Sequence, residues 1–267
     1  MLENVSPGVS ARNARVVLFD FDGTLSLIRS GWMDVMVPMM VEILADLKTG
    51  ETQEQLRSMV EDFVWKLTGK ETIYQMIALA DAIEARGGKP VDALVYKKMY
   101  LNRLWQKIES RVESLRQGLA DPEQYMVPGA RALLEELKTR GLTMYLASGT
   151  DEMYLKEEAR LLGITGYFGG GVYGALDDYS FSKAILIQRI LSTAEFSGQQ
   201  ILVFGDGYVE IEEVKNVGGV AVGVASEEPD CMRVDEWKRK RLIGVGADYI
   251  VPNFLCREEL FSSLFSA

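Results

Sequence analysis

Asp20 and Asp22 stand two residues apart in Asp20-Phe21-Asp22-Gly23-Thr24, directly after the apolar run Val16-Val17-Leu18-Phe19. Ser148-Gly149-Thr150 closes a second apolar run, and Gly205-Asp206-Gly207 follows a third, with Glu210 four residues beyond Asp206. Lys183 opens a helical pattern ahead of that third run. These residue types suit phosphoryl transfer. A carboxylate can attack phosphorus and carry the group covalently, splitting one hard displacement into two easier ones. It cannot approach a phosphate dianion unaided, so a hard cation is required. Mg²⁺ asks for only one or two carboxylates besides waters and substrate oxygens. A second carboxylate can protonate the departing alcohol and then deprotonate water. A hydroxyl, an ammonium and backbone N–H groups can hold the remaining phosphoryl oxygens. Gly23 lets the chain turn at once, bringing both carboxylates close to one point.

Each group taken singly also has an ordinary structural use. An Asp-x-Asp pair or an Asp-Gly pair is commonly a turn or cap. Ser148 could cap a helix beginning near Asp151. Lys156 rivals Lys183 as the relevant ammonium, Glu212 and Glu213 lie beside Glu210, and Thr24 suits a purely positional role. What joins them is placement, because the ligands of open α/β sheets lie beyond the carboxyl ends of the strands.

The elements that must position these groups are legible. Short apolar runs at Arg15–Phe19, Leu142–Ala147, Gln200–Phe204, Gly218–Val224 and, more weakly, Ala247–Val251 read as buried strands. Helical patterns at Gly129–Arg140, Asp151–Leu162, Lys183–Leu191 and about Val209–Asn216 alternate with them. The expectation is an α/β fold with a parallel sheet. One region breaks the alternation: between Ser26 and Val127 only helical stretches occur, near Met33–Leu47, Glu51–Leu67, Lys70–Ala85 and Val91–Leu119. That organisation predicts a core of residues 1–25 and 128–267 with an all-helical domain, 26–127, inserted after the first strand. Met33, Met36, Met39 and Met40 fall at helical spacing, suited to adaptable packing or to a cavity wall. Gly169-Gly170-Gly171 reads as a flexible turn, and neither Gly69-Lys70 nor Gly88-Lys89 has the spacing of a phosphate-binding P-loop.

Composition narrows the chemistry further. The 267 residues include no histidine, which excludes Ser-His-Asp and Cys-His catalysis and histidine-based zinc sites. The net charge of −10 argues against nucleic acid or an anionic membrane as partner. Lys238-Arg239-Lys240-Arg241 is a local exception, expected to be a solvated helix face. Cys231 and Cys256 form no metal or disulfide pattern, and neither a targeting segment nor a membrane span is visible, so a cytoplasmic location is expected.

The ordered set DFDGT, SGT, a later lysine and GDxxxE resembles the haloacid dehalogenase superfamily, and the likeness spans most of the chain. The helical insertion after the first motif is similar to the C1-capped branch, which includes phosphoglycolate-phosphatase-like and β-phosphoglucomutase-like enzymes. The resemblance implies a Rossmann-like core and a Mg²⁺-dependent phosphatase. Asp20 would be nucleophile and metal ligand. Asp22 would be general acid/base and lend its main-chain carbonyl to the metal. Gly23, Thr24, Ser148, Gly149 and Lys183 would surround the phosphoryl group, with Lys183 also pairing Asp20. Asp206 would bind the metal and Glu210 support it, although the family often has aspartate there. Asp22 speaks against dehalogenation, since dehalogenases of this fold lack it. The implied substrate is a small phosphorylated metabolite such as a sugar phosphate or phosphoglycolate. Arg29, Trp32, Lys66, Arg86 and Lys89 are the candidates to meet a second charged group on it. A phosphomutase of the same fold and a non-catalytic phosphometabolite-binding protein remain as alternatives, and monomer and homodimer are both open.

Overall fold

The computed structural model describes residues 2–176, 181–193 and 196–265. Its strands are β1 (Glu3–Asn4), β2 (Val16–Phe19), β3 (Thr143–Asp151), β4 (Gly171–Ala175), β5 (Ile201–Gly205), β6 (Val220–Val224) and β7 (Tyr249–Val251). They form one sheet in the order β1-β7-β6-β5-β2-β3-β4, parallel throughout except for β1. All four residues of β2 are buried, because both faces of the sheet are covered. Val17 and Phe19 join one apolar cluster, Val16 and Leu18 the cluster on the opposite face. Phe19 stacks on Phe204 of β5 with centroids 4.9 Å apart.

From β2 the chain builds β3 and β4 on one side, then β5, β6 and β7 on the other. The switch point is therefore the carboxyl end of β2, flanked by the ends of β3 and β5. Phe19 stands in register with Leu146 and Phe204, so the residues just beyond each converge on one place.

Between β2 and β3 lie α1 (Met33–Ala45), α2 (Gln53–Leu67), α3 (Thr72–Glu84), α4 (Ala93–Arg116) and then α5 (Ala130–Thr139). The first four pack on one another: α1 against α2 and α4, α3 against α2 and α4. Thr52 caps α2 through a reciprocal box with Gln55. The inward stripe of α4 (Tyr96, Tyr100, Leu104, Ile108, Val112 and Leu115) follows helical spacing. Met36, Met39 and Met40 are buried, as the packing reading expects. The remaining helices are α6 (Glu152–Leu161), α7 (Lys183–Thr193), α8 (Tyr208–Asn216), α9 (Glu236–Gly244) and α10 (Arg257–Phe265).

Two expectations need correction. Gly169-Gly170-Gly171 is not merely a turn: Gly171 begins β4, which adds to β3. A tyrosine explains the glycine there, since a Cβ at Gly170 would strike the Tyr145 ring at 2.5 Å. The basic run Lys238–Arg241 is only in part a solvated face: Lys240 is exposed, and Arg239 and Arg241 are half-buried. Lys238 is buried and faces the carboxylates described below. No helix among the described residues is long and apolar enough to cross a membrane.

Candidate active site

Asp20 follows β2, and its backbone N–H donates to the Phe204 carbonyl at 2.9 Å, tying the end of β2 to β5. Its carboxylate is buried. Lys183, the first residue of α7, donates to Asp20 Oδ1 at 2.6 Å and to Glu210 Oε2 at 2.7 Å. Thr24 Oγ1 donates to Asp20 Oδ2 at 3.3 Å. Burial pushes Asp20 well above the usual carboxylate range; Lys183 pulls it back, and Glu210 and Asp206 oppose that pull. Burial also works against the Lys183 ammonium, but the two carboxylates outweigh it and keep it charged. Lys156, its rival in the sequence, instead pairs with Glu152 on the surface of α6.

Glu210 is wholly buried in the first turn of α8. Its Oε1 accepts from the Gly207 N–H at 2.8 Å while Oε2 holds Lys183. Both oxygens are thus engaged by the protein. Glu212 is exposed, and Glu213 is half-buried outside this cluster. Asp206 follows β5, and its Oδ2 accepts from Lys238 Nζ at 3.0 Å; the same ammonium reaches Glu228 Oε1 at 3.1 Å. Asp20, Asp206 and Glu210 each offer a carboxylate oxygen within 4.8 Å of the others. Three crowded carboxylates with hard oxygen donors suit a divalent cation such as Mg²⁺. Burial raises Asp206 as well, with Lys238 lowering it and Glu210 and Glu228 raising it, so a cation here would relieve mutual repulsion. Gly23 has φ +76°, and a Cβ there would sit 2.3 Å from Asp206 Oδ2. Glycine is required at that position for both reasons.

Asp22 lies across the cavity. Its Oδ2 accepts from Thr150 Oγ1 at 2.8 Å and from Ser148 Oγ at 3.2 Å. Its Oδ1 has no hydrogen-bond partner, and the nearest cation is Arg29, with Nε 4.0 Å away. Burial raises the Asp22 carboxyl to about 6, with Arg29 lowering it and Glu158 raising it. Arg29 is itself clamped by Glu158 of α6 through Nε at 3.0 and 3.1 Å and Nη2 at 2.7 Å. Ser148 Oγ accepts from the Thr150 N–H at 3.0 Å, while the N-cap position of α6 is Asp151, so the helix-cap reading of Ser148 does not describe it.

These groups line a cavity of about 90 Å³ whose walls include Asp20, Asp22, Ser148, Gly149, Lys183 and Asp206. Its other side comes from the helical insertion and its connecting turns: Arg29, Trp32, Met36, Gln75, Tyr100 and the segment Thr68–Lys70. The closure is tight. A Cβ at Gly149 would meet the Lys70 carbonyl oxygen at 2.5 Å, and one at Gly207 would meet Gly69 Cα at 2.8 Å. Of the five residues expected to meet a second charged group, Arg29 and Trp32 line the cavity. Lys66 instead pairs with Asp62, Arg86 pairs with Glu51, and Lys89 is exposed. Sequence reasoning did not single out Thr150, Glu158, Glu228 or the buried Lys238. Thr150 carried a signal in its place beside Ser148, whereas Glu158 and Lys238 join the site only through tertiary contact.

Similarity to known proteins bears on this arrangement. No curated protein matches the sequence. A predicted phosphoglycolate phosphatase from Haemophilus somnus 129PT superposes with a TM-score of 0.58 at 16% identity, over 93% of this chain and 98% of the other. A candidate β-phosphoglucomutase from Bacteroides vulgatus gives a TM-score of 0.57 at 16% identity, over 95% of this chain and 91% of the other. The candidate HAD-hydrolase YfnB from Bacillus subtilis, solved bound to magnesium, gives 0.53 at 14% identity, over 94% and 98%. At these identities the likeness speaks for the fold, a Rossmann-like sheet flanked by helices. The family model for haloacid dehalogenase-like hydrolases matches residues 14–218, which covers the Asp20 motif, Ser148, Lys183 and Asp206, and the chain belongs to that family.

Proposed function

We propose that this hydrolase is a Mg²⁺-dependent phosphatase of small phosphomonoesters that works through an aspartyl-phosphate on Asp20. One observation carries the reading: Asp20, Asp22, Ser148, Gly149, Lys183 and Asp206 all line the same small cavity. In the first half-reaction a carboxylate oxygen of Asp20 forms a bond to phosphorus as the ester P–O bond breaks. Asp22, held by Thr150 and Ser148 and raised toward neutrality by burial, gives its proton to the leaving oxygen. Water then attacks phosphorus, Asp22 takes the water's proton, and the bond to Asp20 breaks to release phosphate. Lys183 stays charged throughout and balances Asp20. Asp20, Asp206 and the Asp22 main-chain carbonyl would hold Mg²⁺, with Glu210 supporting it from behind because its own oxygens are engaged. When bound, the cation supplies charge neutralisation for the incoming phosphoryl group.

The helices of residues 26–127 act in this reading as a cap. The rest of the substrate would lie toward Arg29, Trp32, Gln75 and Tyr100, and movement of the cap would ease its entry. The magnesium-bound YfnB structure is described as revealing interdomain movement, which supports such a motion here. A small phosphorylated metabolite in the cytoplasm, met by a monomer or homodimer without nucleic acid or membrane, is the setting that fits. The test is phosphate release from a panel of small phosphomonoesters with and without Mg²⁺. Phosphate retained on a rearranged sugar would identify a phosphomutase instead, and Mg²⁺-dependent binding without turnover would identify a binding protein.

A further inference from the structure

α9 carries a basic run that composition alone would leave in solvent, yet it reaches two places at once. Asp235 caps the helix, accepting from the Trp237 and Lys238 N–H groups at 2.9 Å each. Lys238 points inward to Asp206. Trp237 and Arg241, four residues apart, share the neighbouring face. The Arg241 guanidinium lies over the Tyr208 ring at 4.4 Å and the Trp237 ring at 5.1 Å, and its Nη2 donates to the Lys66 carbonyl at 2.8 Å. Trp237 in turn packs on Trp65, with ring centroids 4.1 Å apart. Trp65 and Lys66 belong to the last turn of α2, whose final carbonyls lack partners within the helix and carry its negative dipole end. A guanidinium is well matched to that end. Three residues beyond Lys66, Gly69 lies on Gly207, the residue before Tyr208, and Lys70 lies on Gly149.

We infer that Trp237 and Arg241 are positioning residues: by gripping the end of α2 they hold Gly69-Lys70-Glu71 down over the phosphoryl cavity. What the grip does for catalysis rests on the phosphatase reading; that the grip exists does not. Trp237 is 42% exposed, so its contact with Trp65 is a surface clasp whose loss opens no core. The same helix contributes Lys238 to Asp206, so the clasp and the metal-binding carboxylate are fixed to one rigid element.

The experiment compares Arg241→Met, Arg241→Lys and Trp237→Ala with the wild-type protein by amide hydrogen exchange and steady-state kinetics. The amides of Thr68 and Lys70 donate to Trp65 and Leu67 carbonyls, so they report the segment directly. Arg241→Met removes a charged hydrogen bond and two ring contacts, and exchange at these amides is expected to speed by about 10- to 100-fold. A fall of similar size in kcat/KM is expected, with partial recovery in Arg241→Lys and with exchange in β5 and α8 unchanged. Trp237→Ala should move both readouts the same way. Unchanged exchange at Thr68 and Lys70 in both Arg241→Met and Trp237→Ala would overturn the inference, as would faster exchange with undiminished kcat/KM. If the wild-type protein released no phosphate from any ester, the phosphatase reading would fall, while the exchange comparison would still decide whether the clasp holds the segment.

Discussion

Asp22→Asn sets the needs of the proposed chemistry against those of the fold. The partly buried carboxyl, a quarter of whose side chain is exposed, rises from an ordinary 3.8 to about 6 in the folded protein. At 1.36 kcal/mol for each pH unit between those values, ionising it in place works against folding by about 3 kcal/mol. The folded state holds this proton more tightly than the unfolded chain does. The stabilisation is therefore complete below the unfolded value and disappears as the pH rises through 6. At pH 5 about half of it remains, so the wild-type protein should lose about 1.4 kcal/mol from this group between pH 5 and pH 8. Asparagine keeps an acceptor for Thr150 and Ser148 and cannot ionise. The variant should therefore gain on the wild-type protein by about 1.4 kcal/mol over that interval, because other titrating groups are common to both. Urea denaturation at the two pH values, with chelator present, measures the difference. The same variant should lose about 10²- to 10⁴-fold in kcat, since its proton donor is gone. An advantage that is flat with pH, or that shrinks toward pH 8, would refute the assignment of Asp22 as a burial-raised acid.

Other outcomes follow from particular contacts. Arg29→Met strands Glu158, which is 4% exposed, and should destabilise the protein by about 3–5 kcal/mol; adding Glu158→Leu should recover much of that in a double-mutant cycle by chemical denaturation. Gly149→Ala places a Cβ 2.5 Å from the Lys70 carbonyl oxygen, so the segment above the cavity cannot seat, and kcat/KM should fall by about 10²-fold in steady-state assays. Mg²⁺ at 100 times its dissociation constant should stabilise the wild-type protein by about 2.7 kcal/mol in denaturant titrations, and Asp206→Asn should abolish most of that gain.

The sheet was legible because its strands are continuous apolar runs that end at Asp20, Ser148 and Gly205, and burial on both faces leaves that pattern uninterrupted. β1, two residues long, and β4, rich in glycine and half-buried, carry too few apolar residues to announce themselves. The four consecutive helices were visible from periodicity, with ends within a few residues of those found. At the site, Asp20, Asp22, Lys183, Asp206 and Glu210 could be located because each follows a strand or opens a helix, and Ser148 because it ends the apolar run of β3, which itself continues to Asp151 with a register shift beyond Ala147. Lys238 could not, since a lysine in a basic run has the pattern of a solvated face, and only the fold of α9 against β6 and β7 turns it toward Asp206 and Glu228. Arg29 was visible as a charge near the first strand, but its fixed partner, Glu158, lies 129 residues away.

Chemical quench during turnover of an active phosphomonoester, followed by mass analysis of the peptide containing Asp20, tests the central claim most directly. The account predicts a phosphate adduct on Asp20 that forms only with Mg²⁺, forms and breaks down far more slowly in Asp22→Ala, and is absent from a folded, inactive Asp20→Asn protein. Phosphate release persisting in Asp20→Asn, or an adduct on any other side chain, would contradict it.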